Sequence, residues 1–155
     1  LKLIEEEAFY FCRSLRRIEL PGVRVIGAGA FRFCRELESV AFGDKLKVIG
    51  EQAFHRCRSL QNIKIPKVRV IESEAFGDCT RLKDAELSKD LKRIDDGAFK
   101  ECPNLLSIVI PLKDGLFDGN AFIGCPNLSF VDLVGGSSIR KTISSLLLQR
   151  WRHKM

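Results

Sequence analysis

The chain has 155 residues, of which 45% are hydrophobic and 30% are charged, a composition typical of an ordinary soluble domain rather than of a disordered segment. No run of residues approaches the roughly 18 apolar positions that a membrane-spanning helix needs. The formal net charge of +6 arises at the end of the chain, because acidic and basic residues nearly balance up to Asp132 and only basic ones follow. The composition therefore excludes a strongly basic domain.

The chain begins inside a repeat. Its first residue is Leu1 rather than Met, so we expect the natural protein to extend further upstream. No charged-then-apolar leader opens the sequence as it stands. The compartment, cytoplasmic or cell surface, therefore depends on the upstream sequence.

A repeat of 22 or 23 residues runs through most of the chain. The dipeptide Ala-Phe recurs six times, beginning at Ala8, Ala30, Ala53, Ala75, Ala98 and Ala121. A cysteine follows each phenylalanine by three residues, and a leucine follows each cysteine by three more. Because the phase never slips, the six copies predict a solenoid in which each coil stacks on the next.

Each repeat contains three predicted elements. An alternating segment, such as 15–20, 60–65 or 105–110, predicts a strand that a proline or glycine closes. A second, short strand ends four residues before each alanine, at Ile4, Ile26, Ile49, Ile71, Ile94 and Phe117. The Ala-Phe-x-x-Cys-x-x-Leu stretch has apolar residues at helical spacing, which predicts a short helix or 3₁₀ turn. The predicted fold class is therefore an α/β repeat protein.

The repeat unit resembles that of a known family. It reads approximately Ala-Phe-x-x-Cys-x-x-Leu-x-x-Ile-x-Ile-Pro-x-x-Val-x-x-Ile-Gly, which is similar to the BspA-like, Treponema-type leucine-rich repeat. The resemblance covers about residues 1–134 and implies a leucine-rich-repeat solenoid of about six coils. Ala85 replaces the strand isoleucine and Asp114 replaces the valine. We therefore expect the fifth inter-repeat loop to be irregular.

Residues 135–155 form a separate tail, for which we predict a basic amphipathic helix. The repeat period stops at Gly135-Gly136, and apolar residues then follow on one helical face, at Ile139, Ile143, Leu146, Leu147 and Trp151. Because the last coil of a solenoid exposes its core, we expect this helix to cap that coil. Peripheral contact of the helix with a membrane, or with a partner protein, is the less favoured alternative.

Cysteine and histidine form no recognisable catalytic or metal-binding pattern. Equivalent cysteines of successive coils project in parallel, whereas a disulfide needs facing Cβ atoms and zinc needs four convergent ligands. We therefore expect free core thiols, no metal and no other cofactor. His55 should point away from the core residue Cys57, which argues against a Cys-His dyad. With no phosphate loop or nucleophile motif either, we expect no enzyme activity.

The outward positions of the longer strand differ from coil to coil, whereas the core positions repeat. They are Arg17, Glu19, Ser39, Ala41, Asn62, Lys64, Asp84, Glu86, Ser107, Val109, Phe130 and Asp132. A constant scaffold with a variable face is typical of recognition, although neutral drift would give the same pattern. We interpret the chain as a non-catalytic scaffold that binds an unidentified protein partner, with candidate contacts at Arg17, Glu19, Asn62, Lys64, Asp84, Glu86, Val109 and Phe130. The resemblance implies an alternative role in cell-surface adhesion or structure.

A basic residue occupies the same position of the short strand in five consecutive coils. This basic column consists of Lys2, Arg24, Lys47, Arg69 and Lys92. Stacking places like charges about 4.8 Å apart, so something should offset their repulsion. The following turn is acidic, with Glu5, Glu6, Glu7, Glu51, Glu72, Glu74, Asp95, Asp96 and Asp118, and is one way to neutralise the column. The alternative is an acidic partner. Nucleic acid is not expected, because the body is nearly neutral and no aromatic residues interleave with the column.

Overall fold

A computed structural model of the chain describes residues 2–111, 113, 115–117, 120–134 and 140–143. Each repeat forms one coil with a longer and a shorter strand. The longer strands are β2 (Arg17–Leu20), β4 (Ser39–Phe42), β6 (Asn62–Ile65), β8 (Asp84–Leu87), β10 (Ser107–Pro111) and β11 (Phe130–Val134). The shorter strands are β1 (Leu3–Ile4), β3 (Val25–Ile26), β5 (Val48–Ile49), β7 (Val70–Ile71) and β9 (Arg93–Ile94).

The shorter strands form one parallel sheet in the order β1-β3-β5-β7-β9. Its register pairs equivalent residues of successive repeats, so that Ile49 of β5 lies beside Ile71 of β7. These isoleucines are buried, because side chains alternate between the two faces of a strand. Between the fifth and sixth coils, near the departure at Asp114, the pairing of the shorter strands is reduced to a single bridge between Ile94 and Phe117.

The longer strands form two sheets. β2 pairs with β4, while β6, β8, β10 and β11 pair in that order, and all of these pairs are parallel. The register again aligns equivalent residues, so that Ala85 lies between Ile63 and Ile108. β4 and β6 belong to consecutive coils, yet the two are not joined by a ladder. The ladder of longer strands is therefore interrupted between the second and third coils.

A column of stacked phenylalanine rings forms the centre of the core. Neighbouring rings lie face to face, with centroids 5.0 to 5.5 Å apart and interplanar angles of 11° or less, in the order Phe9, Phe31, Phe54, Phe76, Phe99 and Phe122. The rings in the middle of the stack are completely buried, whereas Phe9 in the first coil is only half-buried. Each coil therefore depends on its neighbours to bury its core residues, as expected for a solenoid.

The repeated cysteines lie beside the phenylalanine column. Their Sγ atoms donate to the carbonyl oxygen of a phenylalanine in the preceding coil at 3.0 to 3.3 Å, in Cys34, Cys57, Cys79, Cys102 and Cys125. All six cysteines are free, and Cys12 of the first coil is half-buried. Burial raises the pKa of the Cys34 thiol to about 11 and also raises the pKa of Cys57. Burial thus keeps these thiols protonated and able to act as donors between coils.

The short helix or 3₁₀ turn predicted in each repeat is wrong. The described residues contain no helix, and the Ala-Phe stretch folds as successive turns in which, for example, His55 N donates to Gln52 O at 3.1 Å. Alternate amides donate to the next coil instead, as Phe54 N does to Ala75 O at 2.7 Å. Gln52 and Arg56, four residues apart, have φ of 54° and 61°, and left-handed residues terminate a right-handed helix. The fold is therefore a β-solenoid and not an α/β repeat protein.

The predicted C-terminal capping helix is also wrong where the tail is described. β12 (Arg140–Ile143) is an antiparallel strand on β11, with Val131 opposite Ile143. β11 is the last parallel strand, and an unpaired sheet edge leaves backbone N–H and C=O groups without partners. A strand satisfies those groups directly, which a helix lying on the core cannot do. The rest of the predicted helix lies outside the described residues, and in the described part of the chain no helix could span a membrane.

Candidate functional site

The candidate contact residues lie on the outer face of the longer strands. The structure places Arg17 and Glu19 on β2, Asn62 and Lys64 on β6, Asp84 and Glu86 on β8, Val109 on β10 and Phe130 on β11. Val109 is half-buried and the other side chains are exposed. The pair on β2 belongs to a different sheet from the rest. The contiguous candidate surface therefore comprises the six residues from β6 to β11.

The parallel register arranges this surface in two rows. One row contains Asn62, Asp84, Ser107 and Phe130, and the other contains Lys64, Glu86, Val109 and Asp132. Within the rows, Ser107 Oγ donates to Asp84 Oδ1 at 2.5 Å, and Lys64 Nζ lies 3.6 Å from Glu86 Oε1. Exposed pairs of this kind contribute at most about 1 kcal/mol to stability. These side chains therefore present an ordered pattern of mixed charge without being needed to hold the fold.

A depression of about 420 Å³ lies over β6, β8 and β10. It is lined by Val40, Asn62, Ile63, Lys64, Asp84, Ala85, Glu86, Ser107 and Val109. Val40, Ile63 and Ala85 are core residues, and their buried side chains point away from this outer face. At the far end of the same sheet the ring of Phe130 is 58% exposed. The face thus combines a depression, mixed charge and one exposed aromatic ring.

The basic column lies on a different part of the coil, directly before the shorter strands. Successive members are joined by backbone hydrogen bonds, in which Arg24 N donates to Lys2 O, Lys47 N to Arg24 O and Arg69 N to Lys47 O, each at 2.8 Å. Lys92 N donates to Arg69 O at 2.7 Å. Lys47 is half-buried and the other four side chains are exposed. The backbone thus fixes the five basic residues in one line along the solenoid.

The acidic turn forms no ion pair with the basic column among the described residues. Asp95 pairs with Arg93 at 2.6 Å, and Glu74 pairs with Lys100 at 2.5 Å. Glu72 accepts a hydrogen bond from the backbone N of Glu51 at 2.9 Å. The direct contacts of this turn therefore go to groups outside the column.

A groove of about 580 Å³ runs beside the middle of the column. We define the basic groove by the seven residues that line it, Arg24, Asp44, Lys45, Lys47, Lys67, Arg69 and Asp90. The two acids each lie near a lysine, with Lys45 Nζ 3.7 Å from Asp44 and Lys67 Nζ 3.8 Å from Asp90. Five basic and two acidic side chains leave the basic groove with an excess of positive charge.

Sequence reasoning did not find the surroundings of His55. This side chain is buried, with Nε2 lying 3.6 Å from Asp78 Oδ2 and Nδ1 lying 3.8 Å from Glu74 Oε2. Burial lowers the pKa of His55, although both carboxylates act in the opposite direction. A Cβ on Gly77 would lie 2.8 Å from Nδ1, so this glycine makes room for the ring. The thiol of Cys57 donates to a carbonyl of the preceding coil, and the structure gives no dyad with His55.

Three bacterial crystal structures are similar to this solenoid. A leucine-rich repeat protein of Treponema pallidum superposes with a TM-score of 0.75 and is 38% identical, over 84% of this chain and 62% of that one. A leucine-rich cell surface protein of Faecalibacterium prausnitzii gives a TM-score of 0.67 at 25% identity, over 94% and 48%. A leucine-rich repeat protein of Bacteroides ovatus gives 0.51 at 26% identity, over 84% and 40%. The chain thus spans less than two thirds of each.

The sequence also matches a family model directly. The model of the BspA type leucine-rich repeat region matches six copies over residues 2–129, which is most of the chain. Among curated proteins there is no significant match. The six-copy match confirms the resemblance carried by the Ala-Phe-x-x-Cys-x-x-Leu unit. The chain therefore belongs to the BspA-type leucine-rich repeat family.

Proposed function

We propose that this chain is a non-catalytic binding module that holds a protein partner against the outer face of its longer strands. One observation carries the proposal, namely that this face joins varied, exposed side chains to a depression over β6, β8 and β10. The core beneath repeats Phe, Cys and Leu in each coil, so folding does not require the variation above it.

The composition of the face fits a protein better than a small molecule. Stable protein interfaces combine apolar or aromatic anchors with a polar rim. Here Val109 is an apolar side chain in the lining of the depression, and Asn62, Lys64, Asp84 and Glu86 surround it. A partner would pack an apolar side chain against Val109 and match the mixed charges around it. Phe130 offers a second anchor at the far end of the sheet.

Site-directed disruption of the face tests this function. Proteins captured by the wild-type chain from its native cells would be identified, produced and measured for direct binding. The Asp84→Ala/Phe130→Ala variant should bind the true partner at least about tenfold more weakly, the effect of losing one interface anchor. The control is Arg58→Ala/Arg81→Ala, which removes two exposed side chains outside the longer strands. Equal affinity of the face variant and the wild type would reject the proposal.

A role at the cell surface is the second candidate. It rests on the Faecalibacterium prausnitzii relative, which is described as a leucine-rich cell surface protein and of which this chain spans 48%. Labelling intact cells with a membrane-impermeant biotin reagent would distinguish the two. Biotinylation of the full-length protein on intact cells supports the surface role, and labelling only after lysis supports an internal scaffold.

A further inference from the structure

We propose that the basic groove binds a linear sulfated polysaccharide, in addition to the protein partner proposed for the longer-strand face. The two sites use different strands of each coil, because the basic groove lies beside the shorter strands.

The basic residues of the column repel one another along the solenoid. Parallel pairing holds equivalent residues about 4.8 Å apart, and like charges at that separation repel each other. The backbone bonds from Arg24 to Lys2 and from Lys47 to Arg24 fix the spacing of the backbone along the column. The acidic turn makes its direct contacts elsewhere, so an anion bound along the column would relieve the repulsion.

The charge of the basic groove is available to such an anion. Its two acids lie near Lys45 and Lys67, whereas Arg24, Lys47 and Arg69 form no ion pair within the described ranges. The arginine side chains at either end are exposed. Arginine offers a planar fork of donors and lysine a compact charge, so that together they suit the oxygens of tetrahedral anions.

The lining of the basic groove indicates which class of anion it binds. All seven residues lining the basic groove are charged, and none is an aromatic or aliphatic side chain. The absence of aromatic rings from this lining disfavours single-stranded nucleic acid, whose bases stack on such platforms. The absence of an apolar anchor disfavours an acidic protein. A sulfated polysaccharide needs neither feature, and clusters of Lys and Arg are a typical binding surface for it.

The geometry of the basic column favours a ligand that lies along the solenoid axis. The column runs along the solenoid axis, with one basic residue in each of five coils from Lys2 to Lys92. At about 4.8 Å per coil, the charges extend over roughly 19 Å. A linear polymer lying along this line contacts several coils at once, so that individually weak contacts reinforce each other. A single sulfate ion gains no such advantage.

The experiment measures binding of a heparin octasaccharide to the full chain by titration calorimetry. The variant Arg24→Gln/Lys47→Gln/Arg69→Gln should bind at least about tenfold more weakly, because three charge contacts with the sulfates are lost. The matched control Arg35→Gln/Arg58→Gln/Arg81→Gln removes the same charge from exposed positions elsewhere and keeps the basic tail. Equal weakening in both variants would show attraction by net charge alone and overturn the proposal.

Competing ligands test the chemical class. A desulfated octasaccharide should bind far more weakly than the sulfated one. Poly-glutamate or a DNA strand of equal charge that bound as tightly as heparin would also overturn the proposal.

A second measurement needs no variant and therefore does not depend on whether one folds. Acetylation of the wild-type chain, followed by mass spectrometry, should show that the octasaccharide protects Lys47 and Lys67. Lys64, which lies on the longer-strand face, should react as fast as it does in the free protein. Protection of Lys64 without protection of Lys47 would contradict the assignment.

Discussion

The ring of Phe54 lies face to face with that of Phe31, with centroids 5.0 Å apart and planes inclined by 4°. On its other side the ring stacks on Phe76 at 5.3 Å, and Phe54 is 0% exposed. Truncation would leave a cavity between two coils that the backbone bonds hold at fixed spacing. We therefore predict that Phe54→Ala lowers the free energy of unfolding by about 3–5 kcal/mol, measured by chemical denaturation.

Phe130→Ala is the matched control, since it removes the same ring from an exposed position. Its effect on stability should be within about 0.5 kcal/mol. Equal losses in the two variants would mean that the ring stack does not carry the core.

Gly50 sets a close approach between the second and third coils. A Cβ at this residue would lie 2.8 Å from backbone atoms of Ile26 and Ala28, which cannot move independently of their coil. We predict that Gly50→Ala forces the coils apart and lowers the free energy of unfolding by about 1–3 kcal/mol. Glu72→Ala is the comparison, because this equivalent position of the next coil already carries a Cβ. Glu72→Ala should lower the free energy of unfolding by less, about 1 kcal/mol or less, when both variants are measured by urea denaturation.

Stability should also depend on the protonation of His55. Burial lowers the pKa of the folded-state imidazole below its ordinary value of 6.5, against the pull of Asp78 and Glu74 and with a small contribution from Arg56 and Arg32. Below pH 6.5 the unfolded chain takes up a proton that the folded chain does not yet bind. The stability contributed by neutral His55 is therefore present above pH 6.5 and is lost as the pH falls from 6.5 toward the folded-state pKa.

The test is the free energy of unfolding measured across that acidic window. His55→Gln should remove this part of the pH dependence, and His153→Gln should retain it. A wild-type chain whose stability rose as the pH fell below 6.5 would contradict the expected sign.

The repeat period predicted the core because each repeated residue type occupies the equivalent buried position in successive coils. Phe54, Cys57 and Leu60 recur in phase, and all three are buried in the structure. The helix prediction failed because apolar spacing does not report the sign of φ. Gln52 and Arg56 adopt left-handed conformations that only glycine takes up without cost, and their side chains give no warning of it.

Contacts between coils were the other part that the sequence did not reveal. His55 meets Glu74 and Asp78, which lie in the next repeat at offsets that no short motif describes. The interruption of the ladder between β4 and β6 likewise depends on how two coils pair, which no single repeat reveals. Positions within one coil were therefore predictable, whereas relationships across coils required the structure.

The last prediction concerns the strand that pairs with the final coil. β11 would be an unpaired parallel edge without β12, and such edges bind further strands, including those of other molecules. A chain ending at Val134 should therefore be less stable and should associate as its concentration rises, measured by sedimentation. A chain ending at Ile143 retains the pairing of Val131 with Ile143 and should stay monomeric under the same conditions. Equal association of the two truncated chains would show that β12 does not protect this edge, and an unchanged monomer in both would show that the edge needs no protection.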